Sequence, residues 1–479
     1  MVSILQNAMS TSIFALAVLF CLHAVKAQLL EPQPNTWNST FRLTPHQIDY
    51  AGLDNSSVDN IEVAIRFEQS NWAGSSAAQD LFYQPPNNST HLPPGSLLKV
   101  DEYTNTSLYT LPPNVAISRF LFQSETYNGS AVPASAYVLW PWMPREDPEC
   151  PGKYAVVVWG HGASGVNAEC GPSHIRNLWY QYSAPYILAL QGYVVVAPDY
   201  AGLGTGQRAN GSKIKHTAFS NAQGNDLVFA VEAAQRAFPE LSHRFVIMGH
   251  SQGGHAAWAA AERLAFSPVK GYLGTVSGSP ATNDTALLAN PAAKPLAAAF
   301  IAPSLDEIFP SFKRSRWLTN RGARIIELSE EIGACNSGSS QLLAIPGILK
   351  DDFTSTWEFQ AFVNLMTHGK RPFAGPMLVL QGTNDSMVPE PSQTALINNT
   401  CNSAPQSDLE YLTFEGVDHV AVLYASQTIW LQWIADRFAG EKASPPCSMQ
   451  KYHPARPVAS YQRNLNFFLE YATSPYEVA

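Results

Sequence analysis

The sequence predicts an α/β protein with a mostly parallel sheet and helices on both of its faces. Four apolar runs, each typical of a buried strand, alternate with Ala-rich stretches whose spacing is typical of helices. The strand candidates are residues 155–159, 193–197, 244–248 and 377–381. Hydrophobic residues make up 46% of the 479-residue chain and charged residues only 14%, so a large core can form and a disordered chain or a coiled coil is excluded.

The first 27 residues are predicted to be a signal peptide. An apolar run at 13–25 ends in Val25-Lys26-Ala27, with small residues at the spacing that a signal peptidase accepts. No Lys or Arg precedes this run, which leaves an uncleaved anchor as the alternative. Because the run is shorter than the roughly 20 residues that span a bilayer, secretion without stable membrane insertion is the prediction.

Residues 28–479 are expected to form one catalytic domain. Its first part, residues 28–150, is rich in Pro, Asn, Ser and Thr and has β-like runs at 118–123 and 135–140. No long periodic helix is predicted there, so these residues are interpreted as an N-terminal wrapping layer. At the other end, residues 448–479 are predicted to be a polar and aromatic tail.

Between these parts, helical spacing appears at 226–238 and 252–266, and a closing amphipathic helix is predicted at 421–438. Residues 281–373 interrupt the alternation of strands and helices. They are rich in Ala, Pro and Phe and contain a helical stretch at 321–332. An insertion above the carboxyl ends of the strands is where a substrate-binding cap or lid lies, and a helical cap is therefore predicted.

A nucleophile motif follows the third strand directly. The strand at 244–248 leads into Gly249-His250-Ser251-Gln252-Gly253 and then into an Ala-rich helix. This G-x-S-x-G pattern in a strand, turn and helix is typical of a strained turn that exposes a serine at the edge of a sheet. The pentapeptide alone occurs by chance in about one chain of this length in six, so its context has to support it.

That context is the order of the residues that follow. The strand at 377–381 leads to Asp385, and a later strand at 409–414 leads to His419. Ser, then Asp, then His is the chain order of α/β-hydrolases. Each of the three residues comes just after the carboxyl end of a strand, so their side chains are expected to converge above one sheet.

The predicted roles follow from proton chemistry. A serine hydroxyl is a weak nucleophile near neutral pH, so His419 is expected to take the proton of Ser251 and later give it to the leaving group. Asp385 is expected to orient the imidazole. Asp418 is the rival acid, but an immediate neighbour of His419 points its side chain elsewhere, and Asp385 is preferred.

A tetrahedral intermediate also needs donors for its oxyanion. The backbone N–H of Gln252, directly after the nucleophile, is predicted to be one donor. The second is predicted in the small-residue loop at 160–165, with Ala163 preferred and Ser164 as the alternative. His161 in this loop is interpreted as a residue that fixes the loop by hydrogen bonding.

Other functions are less compatible with the sequence. His250 and His255 are interpreted as packing or substrate-wall residues. The glycine loop at 202–206 lacks G-x-G-x-x-G spacing, and Cys170 with His174 offers only two metal ligands, with no CxxC or HExxH motif. A net charge of −9 disfavours nucleic acid. No cofactor and no metal are therefore predicted.

Taken together, the motifs resemble the secretory lipases of the lipase A type, within the α/β-hydrolases. The resemblance covers most of the chain after the leader and rests on PGSLL at 94–98, GHGASG at 160–165, CGPS at 170–173, PDYAGLG at 198–204 and GHSQGGH at 249–255. It implies an α/β-hydrolase fold with an inserted helical cap and hydrolysis of carboxylic esters, including acylglycerols, without a cofactor. It also implies the triad of Ser251, Asp385 and His419.

Five cysteines follow the leader. The resemblance implies that Cys170 pairs with Cys335 and that Cys401 pairs with Cys447, which leaves Cys150 without a partner. A pair between Cys150 and Cys170 is the alternative, because these residues bracket one predicted strand.

Ten Asn-x-Ser/Thr sequons suggest glycosylation of a surface that has few charges. The sequon at Asn384 adjoins the predicted catalytic acid, where a glycan would crowd the site, and is expected to stay unmodified. The glycosylation candidates are Asn38, Asn55, Asn87, Asn88, Asn105, Asn128, Asn210, Asn283 and Asn398.

The first hypothesis is a secreted serine esterase or lipase whose substrate is a small ester with an apolar acyl chain. Two alternatives keep the triad: a peptidase, and an acyl-transferring or ester-cleaving enzyme of specialised metabolism. A non-catalytic binding protein is disfavoured because all three triad residues are present. Contact with a lipid interface, the acyl chain length and the oligomeric state are left open by the sequence.

Overall fold

The computed structural model describes residues 39–462 except 88, 283–294 and 296–299. The predicted signal peptide at 1–27 and the sequons at Asn38, Asn88 and Asn283 lie outside the described residues, as do the last 17 residues of the predicted tail. Within the described ranges, no helix combines the length and the apolarity that crossing a bilayer requires.

Eleven strands form one sheet in the order β1-β2-β3-β6-β5-β7-β8-β9-β10-β11, with β4 paired to β5 outside this path. The strands β5 to β11 on this path run parallel, whereas β1, β2 and β3 pair antiparallel and extend one edge. The strands are β1 Leu97–Asp101, β2 Val115–Glu125, β3 Ala131–Pro141, β4 Glu146–Asp147, β5 Cys150–Gly160, β6 Val194–Pro198, β7 Leu241–His250, β8 Tyr272–Gly278, β9 Met377–Gly382, β10 Leu409–Phe414 and β11 Ser448–Tyr452.

Among the described helices, three lie in the cap, the two nearest the N-terminus pack against the cap core, and the others lie beside the sheet or close to its strand ends. In chain order the described helices are α1 Pro45–Ala51, α2 Asn55–Ser70, α3 Pro185–Leu190, α4 Ala222–Ala237, α5 Gln252–Phe266, α6 Asn320–Glu331, α7 Asn336–Leu343, α8 Trp357–Met366, α9 Glu390–Ser403, α10 Ala421–Ala425 and α11 Gln427–Phe438. The closing helix predicted at 421–438 is therefore two helices that meet at Ser426.

The central strands are buried on both faces, which explains their continuous apolar runs. Val157, Val195 and Val246 share a core with side chains of α3 and α11. Their neighbours Val156 and Val194 point to the opposite face and share a core with α4 and α5. The predicted α/β fold with a mostly parallel sheet and helices on both faces is confirmed.

The N-terminal part contains a helix that the sequence analysis did not predict. Helix α2 has 16 residues, and only Ile61, Ala64, Ile65 and Glu62 are buried. Ile61 and Ile65 lie one turn apart and join the cap core. Val58 also packs against this core and continues the helical spacing of Ile61 and Ile65, whereas most other positions of α2 are polar and Val63 is exposed. The apolar face is therefore narrow, and the expectation of no long helix in 28–150 is wrong.

The cap packs around its own aromatic core. Trp317 is fully buried and contacts Phe312, Phe353 and Phe359 with ring centroids 5.4–6.1 Å apart. The helix predicted at 321–332 matches α6 to within one residue at each end. These residues form a separate hydrophobic cluster from the two cores of the sheet.

Two contacts fasten Cys335, just before α7, to the rest of the molecule. A disulfide joins it to Cys170 after the first parallel strand. The Glu68 carboxylate of α2 also accepts the backbone N–H groups of Cys335 and Gly338, at 2.9 and 2.7 Å. Burial raises the pKa of Glu68 to about 7. The second disulfide joins Cys401 to Cys447, so both pairs are those that the resemblance implies.

Replacing Glu68 with alanine is expected to lower the free energy of unfolding by about 1–3 kcal/mol, because two N–H groups, one at the N-cap and one in the first turn of α7, lose their acceptor. Glu68→Gln keeps one acceptor oxygen and should lose less. Urea denaturation of the three proteins measures the difference. A Glu68→Ala protein as stable as the wild type would show that this contact contributes nothing to holding the cap.

Candidate active site

Ser251 lies in a sharp turn between β7 and α5. Its backbone angles are φ 57° and ψ −119°, a strained conformation for a residue with a side chain. The flanking glycines allow this turn, because a Cβ on Gly249 would lie 2.0 Å from the Gly253 carbonyl oxygen, and a Cβ on Gly253 would lie 1.9 Å from that of Gly160. The G-x-S-x-G pattern is thus required by backbone contacts as much as by chemistry.

The Ser251 side chain is partly exposed and lies at the amino end of α5. Its backbone N–H donates to the Gly278 carbonyl oxygen at 2.9 Å, which fixes the turn to β8. Within the described part of the chain, the Ser251 hydroxyl has no hydrogen-bond partner. The hydrogen bond between a nucleophile and its base often forms at full strength only when substrate is bound.

Asp385 and His419 follow β9 and β10 and form a hydrogen-bonded pair. Asp385 Oδ2 lies 2.8 Å from His419 Nδ1. The same carboxylate accepts the side-chain amide of Gln381 at 3.0 Å and the backbone N–H groups of Met387 and Val388 at 2.9 and 2.7 Å. Four donors thus hold the carboxylate in a fixed orientation.

These contacts keep Asp385 ionised. Burial acts to raise its pKa, but the charge of His419 and the hydrogen bonds from His419 and Val388 outweigh burial and lower the pKa to about 2. A carboxylate can only accept, so His419 Nδ1 carries the proton of this contact. In the neutral imidazole, Nε2 is then the nitrogen that can accept a proton.

The rival acid, Asp418, has a different role in the structure. Its Oδ1 accepts the N–H of His419 at 2.7 Å and both the N–H and the hydroxyl of Ser386 at 2.9 and 3.0 Å. Asp418 therefore ties the loop after β9 to the loop after β10 through main-chain contacts. The contact to the imidazole ring is made by Asp385.

His250 connects the nucleophile turn with the predicted base. The rings of His250 and His419 have centroids 4.7 Å apart. His250 Nε2 lies 3.0 Å from the His419 carbonyl oxygen. Because His250 immediately precedes Ser251, the structure brings all three predicted triad residues to one edge of the sheet.

His161 makes three contacts in the loop after β5, one within the loop and two with the segment after β6. His161 is buried, with Nδ1 2.7 Å from the Gly162 carbonyl oxygen and Nε2 3.2 Å from that of Asp199. Burial lowers the pKa of His161 to about 4, so the ring is neutral and donates through one nitrogen at a time. Its ring stacks on Tyr200 with centroids 4.3 Å apart. These contacts agree with a loop-fixing role.

The two predicted oxyanion donors are available for hydrogen bonding. In the described part of the chain, neither the backbone N–H of Ala163 nor that of Gln252 has an acceptor. Gln252 is the first residue of α5, where N–H groups have no partner inside the helix. Ala163 contacts the cap core, and the alternative, Ser164, accepts the N–H of Asn336 through its carbonyl oxygen at 2.8 Å.

The other motif residues have structural contacts. The Asp199 carboxylate is fully buried and accepts the hydroxyls of Ser135 and Ser173 at 2.5 Å each. The contact between Ser173 and Asp199 joins two of the stretches that carry the family resemblance, 170–173 and 198–204. His255 is fully buried and faces the Ala281 carbonyl oxygen at 3.1 Å, so of its two predicted roles the structure favours packing.

Tyr180 was missed by the sequence analysis. It is partly exposed, and its hydroxyl lies 2.7 Å from His250 Nδ1. No motif marks this residue, because the backbone around it is irregular: Leu178, Trp179 and Gln181 have positive φ angles. Among the described residues, no group of three or more metal-ligating side chains is arranged around a common point.

A model of the alpha/beta hydrolase family matches residues 156–429. This match covers more than half of the chain, so the chain belongs to the alpha/beta hydrolase family. Among curated proteins no significant match is found.

Among solved structures, the fold is similar to that of Candida antarctica lipase A in its closed state, with a TM-score of 0.63 and 14% sequence identity over 79% of this chain and 90% of that one. It is also similar to a rice cell wall degrading esterase, LipA, from Xanthomonas oryzae, with a TM-score of 0.56 and 19% identity over 72% of this chain and 98% of that one. The resemblance inferred from the motifs is thus confirmed at the level of family and fold.

Proposed function

We propose that the chain is a secreted serine carboxylic ester hydrolase, an esterase or lipase that works through an acyl-enzyme. The observation that carries this proposal is the strained turn at Ser251, adjoined by the hydrogen-bonded pair of Asp385 and His419. A serine exposed on such a turn, with a carboxylate-oriented imidazole beside it, has the parts needed for nucleophilic attack on an acyl carbon.

In the proposed reaction, Ser251 Oγ attacks the ester carbonyl while His419 Nε2 takes the hydroxyl proton. The N–H groups of Gln252 and Ala163 stabilise the oxyanion of the tetrahedral intermediate. His419 then gives the proton to the leaving alkoxide, and an ester forms between Ser251 and the acyl group. A water molecule then attacks this ester while His419 takes its proton, and the carboxylic acid is released as Ser251 regains its hydroxyl proton. No step requires a cofactor.

The cap supports an apolar acyl group as part of the substrate. Its core reaches Ala163 and Val166 of the loop that carries the proposed oxyanion donor. We take residues 281–373 as the cap, residues 28–150 as a layer whose strands extend the sheet, and residues 28–479 as a single catalytic unit. Because the apolar core of the cap adjoins the oxyanion loop, the acyl chain of a bound ester would lie next to apolar side chains.

Secretion is supported by the apolar leader and by two disulfides, which persist in oxidising compartments. Six of the candidate sequons have exposed asparagines: Asn55, Asn87, Asn105, Asn128, Asn210 and Asn398. The seventh described sequon, at Asn384, is also exposed, and its position directly before Asp385 remains the reason to propose that it is unmodified.

The proposal is tested by a substrate panel of p-nitrophenyl esters of increasing acyl length, triacylglycerol emulsions and peptide amides. We expect ester cleavage, labelling by a fluorophosphonate probe, and amide cleavage at least about 100-fold slower than ester cleavage, because an amide has the poorer leaving group. Ser251→Ala serves as the control for contaminating esterases. Cleavage of amides without cleavage of esters would contradict the proposal and point to a peptidase.

A further inference from the structure

Two side chains outside the proposed triad form a continuous path across the site. The Tyr180 hydroxyl lies 2.7 Å from His250 Nδ1, and His250 Nε2 lies 3.0 Å from the carbonyl oxygen of His419. His250 is fully buried. The path therefore starts at the partly exposed Tyr180, passes through the residue directly before Ser251 and ends on the main chain of the proposed base.

The direction of each hydrogen bond follows from the chemistry of its partner. A carbonyl oxygen can only accept, so His250 Nε2 carries the proton. Burial, and after it the neighbouring His419, lowers the pKa of His250 to about 3, which leaves the ring neutral. Its Nδ1 is then an acceptor, and the Tyr180 hydroxyl donates to it.

The other end of the path reaches the oxyanion loop. A Cβ on Gly162 would lie 2.1 Å from the Tyr180 hydroxyl oxygen, so this hydroxyl is packed against the backbone directly before Ala163. Burial raises the pKa of Tyr180, and the adjacent backbone of Gly162 acts in the opposite direction. The phenol oxygen is thus in contact with both the loop and His250.

The backbone that carries Tyr180 is strained. Of the four residues from 178 to 181, three have positive φ: Leu178 at 53°, Trp179 at 69° and Gln181 at 44°. Such conformations are uncommon for residues other than glycine and persist only where surrounding contacts impose them. Here the contacts include the buried Trp159, whose ring centroid lies 5.4 Å from that of Tyr180.

We propose that Tyr180 and His250 are positioning residues that hold the oxyanion loop and His419 in a fixed relation to Ser251. The inference rests on the proposed serine hydrolase function and assigns no chemical step to either residue. Tyr180 fixes the loop through Gly162 and passes its hydrogen bond to His250, which fixes the main chain of His419. The donor, the nucleophile and the base are thereby connected through two side chains.

The first test is Tyr180→Phe, which removes the hydroxyl and retains the ring. A displacement of about 1 Å at a reacting group can cost about 100-fold, so we expect kcat for a p-nitrophenyl ester to fall about 10- to 100-fold while KM changes less than about 3-fold. Tyr186→Phe is the matched control, because its hydroxyl also donates a hydrogen bond, to the Thr110 carbonyl oxygen at 2.7 Å, away from the site. That variant should retain its kcat.

The second test separates the two contacts of His250. The amide nitrogen of glutamine occupies nearly the position of histidine Nε2, whereas that of asparagine is closer to Nδ1. His250→Gln can still donate to the His419 carbonyl oxygen and should keep kcat within about 10-fold, and His250→Asn should lose about 100-fold. If His250 had only a structural role, kcat would fall in both variants in proportion to their loss of stability. Thermal melting measures that loss.

A third comparison examines the loop itself. Gly162→Ala places a methyl group against the Tyr180 hydroxyl, and we expect it to lower kcat more in the wild type than in the Tyr180→Phe background, where the nearest ring carbon lies 3.0 Å away. Equal effects in both backgrounds would contradict contact between Tyr180 and the loop.

The outcomes for the inference and for the function are distinct. If Ser251→Ala keeps its activity, the proposed function fails. If Ser251→Ala is inactive while Tyr180→Phe and His250→Asn both keep kcat within about 3-fold, the function stands and the inference is wrong. If Tyr180→Phe does not fold, the comparison of His250→Gln with His250→Asn decides.

Discussion

Ser251→Ala is expected to lower kcat for ester hydrolysis by about 10⁵- to 10⁶-fold, because the variant lacks the hydroxyl that we propose forms the acyl-enzyme. The loss should appear in kcat while the protein keeps its fold, since the strained turn is imposed by main-chain contacts of Gly249 and Gly253. A residual rate about 10³-fold above the reaction in water is expected from the oxyanion donors. Stopped assays with p-nitrophenyl esters measure both quantities.

Ser277→Ala is the matched control for this loss. Ser277 is fully buried behind the turn, and its hydroxyl donates to the Gly254 carbonyl oxygen at 2.9 Å. This variant should keep its activity and its labelling by a fluorophosphonate. Labelling of Ser251→Ala at an undiminished rate would assign the nucleophile to another residue.

Asp385→Asn is expected to lower kcat by about 10⁴-fold. The asparagine amide would donate to His419 Nδ1 and so favour the tautomer whose Nε2 already carries a proton and cannot act as a base. The backbone contacts from Met387 and Val388 can be kept by the remaining carbonyl oxygen, so circular dichroism should report an intact fold. The ratio of kcat in the variant to kcat in the wild type, measured with a p-nitrophenyl ester, tests this prediction.

The pKa of Asp385 adds a pH test to this prediction. Because folding lowers that pKa from 3.8 to about 2, the stability that Asp385 contributes is present above about pH 4 and is lost as the pH falls towards 2. Between about pH 4 and pH 2, the free energy of unfolding should therefore fall less in Asp385→Asn than in the wild type. An unchanged acid unfolding profile would contradict an ionised Asp385 in the fold.

Asp418→Asn distinguishes the two acids. Its contacts are to main-chain N–H groups and to the Ser386 hydroxyl, so kcat should fall less than about 10-fold, through loosening of the loop alone. A larger loss in Asp418→Asn than in Asp385→Asn would reverse the assignment of the acid.

The sequence predicted five of the seven parallel strands, because a buried strand has a local apolar pattern, but it missed β8 and it missed β11, which lies in the predicted tail. Strands buried on two faces are continuous apolar runs, as at Val156–Val158, and the ends of parallel strands lie at one edge of the sheet. Strand β8 was missed because its sequence, Tyr-Leu-Gly-Thr-Val-Ser-Gly, has few apolar residues. Its small side chains suit a position beside the nucleophile turn.

What the sequence could not predict depends on contacts between distant residues. Helix α2 is specified by the cap, which covers its narrow apolar stripe from residues more than 200 positions later. The location of the Tyr180 hydroxyl depends on positive φ angles at three neighbours that are not glycine. No propensity indicates such angles, because they result from packing after the chain has folded.

The disulfide between Cys170 and Cys335 also limits how the cap can move. Gly165, at the end of the oxyanion loop, pairs with Cys335 through a β-bridge, so one side of the cap is joined to the catalytic core both covalently and through the main chain. A cap fixed in this way cannot lift off as a whole. We therefore expect any rearrangement of the cap that admits a bulky ester to leave the segment at Cys335 in place.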